Sequence, residues 1–106
     1  MESIIGILAE ELNQSQTHVK NVVDLLDEGN TIPFIARYRK EVTGSLDDQV
    51  LRELADRHAY LCNLEEQRQK VRGVIEEQGA MTEELAAALD AAATLTEIED
   101  IYRPLR

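Results

Sequence analysis

Positive side chains gather at one place in this sequence, and they are the residues best suited to a binding function. Arg37, Arg39 and Lys40 stand within four positions, and Glu41 is the acid beside them. Guanidinium and ammonium groups at this spacing are typical of contacts with phosphate groups or with an acidic partner. Together with Lys20 on the preceding segment, they are the candidate residues for contact with nucleic acid or a partner protein.

The same cations have a structural alternative, in which Arg37 or Arg39 pairs with an acid of this chain. Glu10, Glu11 and the acids of a later helix are the available partners. The chain has 11 basic and 21 acidic residues and a formal charge of -10, which repels the phosphate backbone of nucleic acids. This balance favours the structural alternative, and the sequence leaves both open.

Residues for nucleophilic or metal chemistry are few. His18 and His58 are the only imidazoles that could act as a base, and no G-x-S-x-G motif is present. His58, Cys62 and Glu66 recur every four residues, which would place them on one helix face. A structural zinc usually takes four ligands from paired motifs, so this spacing is better explained by a packed cysteine beside a half-exposed histidine. We expect no catalytic site, no cofactor and no metal.

Apolar residues recur every three or four positions through most of the chain, which predicts an all-α fold. The expected helices cover residues 3–12, 16–28, 32–40, 47–78, 82–93 and 96–103. Their predicted starts have residues that favour helix entry. These are Ser15, Pro33, Ser45 or Asp47, Thr82, and the capping-box spacing of Thr96-Glu97-Ile98-Glu99.

The predicted helices group into three regions. Residues 1–44 form a small helix-turn-helix-like cluster, residues 47–78 one long helix, and residues 82–103 two shorter helices. At about 1.5 Å per residue the long helix extends roughly 48 Å, whereas a compact domain of this length has a radius of gyration of about 13 Å. Either this helix breaks near Gly73, or another subunit or further chain covers the rest of its apolar side. We therefore expect a fragment of a larger protein.

Composition indicates a folded protein of the cytoplasm. Hydrophobic residues make up 43% of the chain, yet no apolar run approaches the 20 or so residues that a membrane span requires. Glu2 stands where a secretory signal carries a basic residue, and the single cysteine, Cys62, forms no internal disulfide. We expect a cytoplasmic location and no membrane partner.

Longer segments of the sequence resemble the beginning of the bacterial Tex proteins, a family of transcription accessory proteins related to a eukaryotic elongation factor. The most specific is TIPFIARYRKEVTGSLD, at residues 31–47. The similarity continues in register through four further segments and covers essentially the whole chain. These are Leu51–Arg57, Leu64–Glu66, Ile75–Gly79 and Thr94–Tyr102. His58 departs from the resemblance, because an apolar residue is favoured there, and this weakens any special role for it.

The resemblance implies a protein several times longer than this chain. It implies an N-terminal helical region, a nuclease-like domain without activity, a helix-hairpin-helix region, and a C-terminal OB-fold that binds RNA or other nucleic acid, with RNA the expected partner ahead of DNA. The expected partners are then nucleic acid through the full-length protein, the absent domains of the same chain, and the transcription machinery. This region would be a non-catalytic scaffold or interaction region. The alternative is a helix-turn-helix-like module that itself binds nucleic acid through Lys20, Arg37, Arg39 and Lys40.

Overall fold

The computed structural model describes residues 3–106, and in that range the chain is built of helices without any strand. The prediction of an all-α fold is confirmed. Met1 and Glu2, on which the expected absence of a secretory signal partly depends, lie outside the described residues. The helices in chain order are α1 (Ile4–Leu12), α2 (Gln16–Asp27), α3 (Ile32–Tyr38), α4 (Lys40–Thr43), α5 (Asp48–Glu77), α6 (Glu83–Ala91) and α7 (Leu95–Tyr102), followed by a 3-10 turn at Arg103–Leu105.

Short polar side chains begin most of these helices. In each case the side-chain oxygen accepts a hydrogen bond from the backbone N–H three residues later, which satisfies an amide that has no partner within the helix. Asn13, in the left-handed region at φ 55°, ends α1. The capping residues are Ser3, Ser15, Thr31, Asp47, Thr82 and Thr94.

Every predicted helix boundary lies within two residues of the observed one, and the differences at the end of α3 and the start of α7 have identifiable causes. The helix expected over 32–40 ends at Tyr38, because Arg39 leaves the helical region at φ -129° and ψ 31° and a separate short helix follows. The last helix begins at Leu95, one residue earlier than expected, and its N-cap is Thr94 instead of Thr96. Its capping box is formed by Thr94 and Glu97, and the Glu97 carboxylate accepts a hydrogen bond from the backbone N–H of Ala93. Gly73 does not interrupt α5.

The described chain forms two compact units, and the boundary between them falls within α5. In the first unit, which ends at Leu61, α2 packs against α1, α3 and α4. The amphipathic spacing of α2 turns Val19 and Val22 inward. The fully buried apolar side chains of this unit are Leu8, Val19, Val22, Ile35, Leu51 and Leu54.

An ion pair within the first unit joins α1 to the start of α5. Arg57 donates two hydrogen bonds of 2.9 Å to the carboxylate oxygens of Glu11. The hydrogen bond with Arg57 is the main reason that the pKa of Glu11 is lowered below its ordinary value. It also raises the pKa of Arg57. Because both side chains remain more than one third exposed, solvent screens most of this attraction.

The second unit, Cys62–Arg106, contains a buried arginine. Arg68 on α5 is 7% exposed, and its guanidinium donates to the backbone carbonyls of Leu89, at 2.7 Å, and Ala92, at 3.0 and 3.1 Å. It also pairs with Glu65 at 3.2 Å. These carbonyls lie at the C-terminal end of α6, where the helix leaves acceptors without partners and where its dipole favours a cation. Arg68 therefore holds α6 against α5.

No helix in residues 3–106 combines the length and the apolar character that crossing a membrane requires.

Replacing Arg68 with Met should destabilise the second unit by roughly 2–4 kcal/mol, because buried carbonyls lose their donors and Glu65 loses its partner. Lys70→Met is the matched control, since Lys70 is exposed on the same helix, and it should change stability by no more than about 0.5 kcal/mol. Urea unfolding followed by circular dichroism measures both. Equal midpoints for the two variants would contradict the structural role of Arg68.

Replacing Glu11 with Gln should lower the free energy of unfolding by about 0.5–1 kcal/mol at pH 7. A carboxyl group with a lowered folded-state pKa stabilises the fold above its unfolded pKa of about 4.3, and this contribution disappears as the pH falls through the folded value. The difference between Glu11→Gln and the parent should therefore be smaller at pH 3 than at pH 7. Urea unfolding at both pH values measures it, with Glu10→Gln as the exposed control. A difference that is the same at both pH values would be the contrary result.

Candidate functional site

Five exposed side chains at the end of α3 and the start of α4 form the surface that we call the α3 patch. It consists of Phe34, Arg37, Tyr38, Arg39 and Lys40. Phe34 is 36% exposed and Tyr38 is 56% exposed, and they are the large hydrophobic side chains most open to solvent in the described chain. Residues 31 to 40 contain three cations and no acid. The patch therefore combines positive charge with exposed aromatic rings.

Four planar groups of the α3 patch contact one another in succession. The guanidinium carbon of Arg39 lies 5.3 Å from the ring centroid of Phe34, and the rings of Phe34 and Tyr38 are 5.2 Å apart at 49°. The guanidinium carbon of Arg37 lies 5.7 Å from the Tyr38 centroid. Both cations are within the distance at which the face of an aromatic ring attracts positive charge. The order of contact is Arg39, Phe34, Tyr38, Arg37.

The helical spacing of α3 and its early end create this arrangement. Phe34 and Tyr38 are four residues apart, which places them on one face, while the fully buried Ile35 fixes the opposite side in the core. A continuous helix would direct Arg39 away from Arg37, because residues two positions apart do not share a helix face. Because the helix ends at Tyr38, the side chain of Arg39 instead returns over Phe34 and donates to the Tyr38 carbonyl at 3.2 Å.

Two contacts with α2 hold the segment that follows the patch. The side-chain amide of Asn21 donates to the carbonyl of Val42 at 2.7 Å. The ring of His18 lies against Gly44, which ends α4 in the left-handed region at φ 75°. Thr43 between them is fully buried, and its hydroxyl has no hydrogen-bond partner among the described residues. The connection from α3 through α4 is thus fixed on both sides of the buried threonine.

The cations of the α3 patch have no ion pair within residues 3–106, whereas seven other basic residues pair with acids. The structural alternative required Arg37 or Arg39 to pair with Glu10, Glu11 or an acid of α5. Glu11 is paired with Arg57 instead. The positive charge of the patch is therefore not neutralised by a neighbouring acid of the described chain.

Lys20, unlike the other three predicted contact residues, forms an ion pair. It pairs with Asp24 at 2.8 Å, and the hydrogen bond to Asp24 is the main cause of its raised pKa. The sequence analysis thus identified three members of the patch and added one cation that is paired elsewhere. It missed Phe34 and Tyr38. A signal was available, because only four aromatic residues occur in the chain and two of them lie in this basic segment.

The second unit carries an apolar groove of about 420 Å³ between α5 and α7. Its lining is mainly apolar, and such a surface suits the burial of another apolar group rather than proton transfer. The side chains that line it are Asn63, Gln67, Lys70, Val71, Val74, Leu95, Ile98, Glu99 and Tyr102.

Metal ligands do not converge in the part of the chain that the structure describes. No three His, Cys, Asp or Glu side chains between residues 3 and 106 are placed to hold one ion. The acids of the chain lie mostly along exposed helix faces. What the α3 patch offers is binding chemistry, namely cation contacts with anions and stacking on aromatic rings.

Comparison with known proteins matches this chain to one family. The family described as the Tex-like protein N-terminal domain matches residues 2–76. The chain is 50% identical over 105 residues to Protein YhgF of Escherichia coli, and 47% identical over 104 residues to Transcriptional accessory protein Tex of Neisseria gonorrhoeae. These alignments cover 99% and 98% of this chain but 14% of each relative. The human S1 RNA-binding domain-containing protein 1 is 33% identical over 109 residues, with 97% of this chain and 10% of that protein covered.

Replacing Gly44 with Ala should destabilise the first unit more than replacing Gly29 with Ala. Both glycines have positive φ, so each alanine costs about 1–2 kcal/mol. A Cβ at Gly44 would also lie 2.6 Å from Nδ1 of His18, whereas a Cβ at Gly29 has no neighbour within 4 Å. Urea unfolding measures the difference, and His18→Ala in the Gly44→Ala background should remove only the steric part. Equal losses at the two glycines would contradict close packing of His18.

Proposed function

This chain belongs to the family of Tex-like protein N-terminal domains, and from that membership we propose that it is a non-catalytic interaction region of a longer transcription accessory protein. The chain spans about 14% of the length of the bacterial relatives that it matches. The α3 patch is its contact surface in this proposal. The proposal includes a cytoplasmic location, since transcription and its RNA products are found there in bacteria.

One observation carries this proposal: the α3 patch is exposed and has no acid partner within residues 3–106, in a chain whose formal charge is -10. Elsewhere most basic side chains form ion pairs, which shows that acids are within reach of cations over much of the chain. Three uncompensated cations beside exposed rings favour contact with a molecule that is not part of this chain.

For the full-length protein we propose RNA binding through a C-terminal OB-fold. The support is the resemblance to the Tex proteins and the name of a human relative, S1 RNA-binding domain-containing protein 1. Such a domain would supply the main affinity for nucleic acid. The present region would then add a second contact, whose effect grows because the two are linked in one chain.

A second candidate function is direct contact with nucleic acid by this region. Arg37, Arg39 and Lys40 form no ion pair within residues 3–106, and this favours it, because cations without an acid partner can neutralise phosphates. The helix-turn-helix-like version with Lys20 receives less support, since Lys20 is already paired with Asp24. The repulsion from the remaining acids predicts that such binding is weak and strongly sensitive to salt.

The patch cations should determine any binding of this chain to nucleic acid. We expect the triple variant Arg37→Ala, Arg39→Ala, Lys40→Ala to lose at least tenfold in affinity for a fluorescently labelled RNA 20-mer at low salt. Losing three phosphate contacts should also reduce the slope of log K against log salt by roughly 2 on a single strand. Fluorescence anisotropy over a salt series measures both quantities.

The matched control removes the same charge from exposed cations that are already paired. This variant is Lys20→Ala, Arg52→Ala, Arg103→Ala. It should keep most of the affinity if contact is local to the α3 patch. Equal losses in the two triple variants would show a general charge effect and would contradict a local contact. Absence of binding by the parent chain would rule out the nucleic-acid candidate and leave the patch as a protein contact.

A further inference from the structure

We propose that the α3 patch is a stacking site for the bases of single-stranded nucleic acid, with Phe34 and Tyr38 as the platform. This inference rests on the function proposed above, because it names the partner of the same contact surface. The observation behind it is the succession of four planar groups, Arg39, Phe34, Tyr38 and Arg37, at the surface of the first unit.

The patch is already assembled in the free chain. Phe34 and Tyr38 are held on α3, whose start is capped by Thr31 and whose buried side is anchored by Ile35. The guanidinium groups of Arg37 and Arg39 lie 5.7 and 5.3 Å from the ring centroids, and both side chains remain exposed. A ligand that stacks here would have little side-chain freedom to remove, and this favours binding.

Exposed aromatic rings select for bases that are not paired. The faces of the bases in a duplex are covered by their neighbours, so a duplex could use only the cations of the patch through its phosphates. A single strand presents the face of each base, and it can use rings and cations together. Its phosphates would meet Lys40 and the arginines while one or two bases stack on Phe34 or Tyr38. The patch therefore favours single strands over duplexes.

An acidic protein segment explains less of the same surface. Its carboxylates would neutralise Arg37, Arg39 and Lys40, but they would leave the faces of the two rings unused. The alternation of rings and guanidinium groups matches a ligand that alternates planar groups with negative charge, as a nucleic acid strand does. Because the rest of the chain is acidic, the contact should be limited to a few nucleotides.

Replacing both rings tests the stacking directly. The double variant Phe34→Leu, Tyr38→Leu keeps every cation, and we expect it to bind oligo(U) of 15 nucleotides at least tenfold more weakly than the parent. Its affinity for inorganic polyphosphate, which has charge but no bases, should not change. Tyr38→Phe keeps the ring and should keep the affinity for oligo(U). Anisotropy at low salt provides these values, and circular dichroism confirms that each variant is folded.

A single tryptophan reports on stacking independently of affinity. The chain contains no Trp, so Tyr38→Trp places the only indole in the α3 patch. Oligo(U) should quench its fluorescence by stacking, whereas polyphosphate should bind without comparable quenching. If Phe34→Leu disturbs folding, Tyr38→Leu alone tests the inference, because Tyr38 is the more exposed of the two rings.

The outcomes separate this inference from the function on which it rests. If oligo(U) and a duplex of equal length bind equally, and the ring variants bind as the parent does, stacking is wrong while phosphate contact by the patch stands. If a polyglutamate peptide binds and oligo(U) does not, the patch is a protein contact and the inference is overturned. If neither probe binds, both the inference and the proposed contact surface are wrong.

Discussion

The ends of short helices impose the constraint that governs this structure. A helix of seven to twelve residues leaves a large share of its backbone groups without partners inside the helix, and isolated helices of this length are marginal in water. Here every start except that of α4 is closed by a serine, threonine or aspartate three residues before the amide that it binds. Burial of apolar side chains then adds the stability that capping alone does not provide, as with Ile35 of α3 and Leu89 of α6.

The same constraint explains why one arginine is buried. A charged side chain is rarely removed from water unless several partners compensate for the lost hydration. Arg68 has such partners at the end of α6, where unsatisfied carbonyls and the helix dipole both favour a cation. The guanidinium group suits this position better than an ammonium group, because its fixed fork reaches the carbonyls of Leu89 and Ala92 together. Arg68 is thus buried at the place where the end of α6 leaves backbone carbonyls without hydrogen-bond donors.

The distribution of ion pairs explains why the α3 patch is positively charged. The chain is strongly acidic, and most of its basic side chains lie beside an acid on the same or a neighbouring helix. The segment from residue 31 to residue 40 lacks acids, and its two arginines, Arg37 and Arg39, lie over aromatic rings instead. The net charge of -10 is therefore compatible with a local surface of the opposite sign, and this surface is where contact with a partner is proposed.

Local patterns in the sequence determined the all-α fold and nearly all of its helix boundaries, because helical periodicity, caps and left-handed glycines act within a few residues. The basic cluster at Arg37, Arg39 and Lys40 was also evident from the sequence. Tertiary structure decided which cations remain without an acid, since Glu11 and Arg57 are 46 positions apart and their pairing depends on how α1 packs. It also decided the end of α3, because contacts from His18 and Asn21 on α2 hold the chain beyond Arg39. Periodicity does not encode contacts between distant segments, and for that reason the return of Arg39 over Phe34 became visible only in the folded chain.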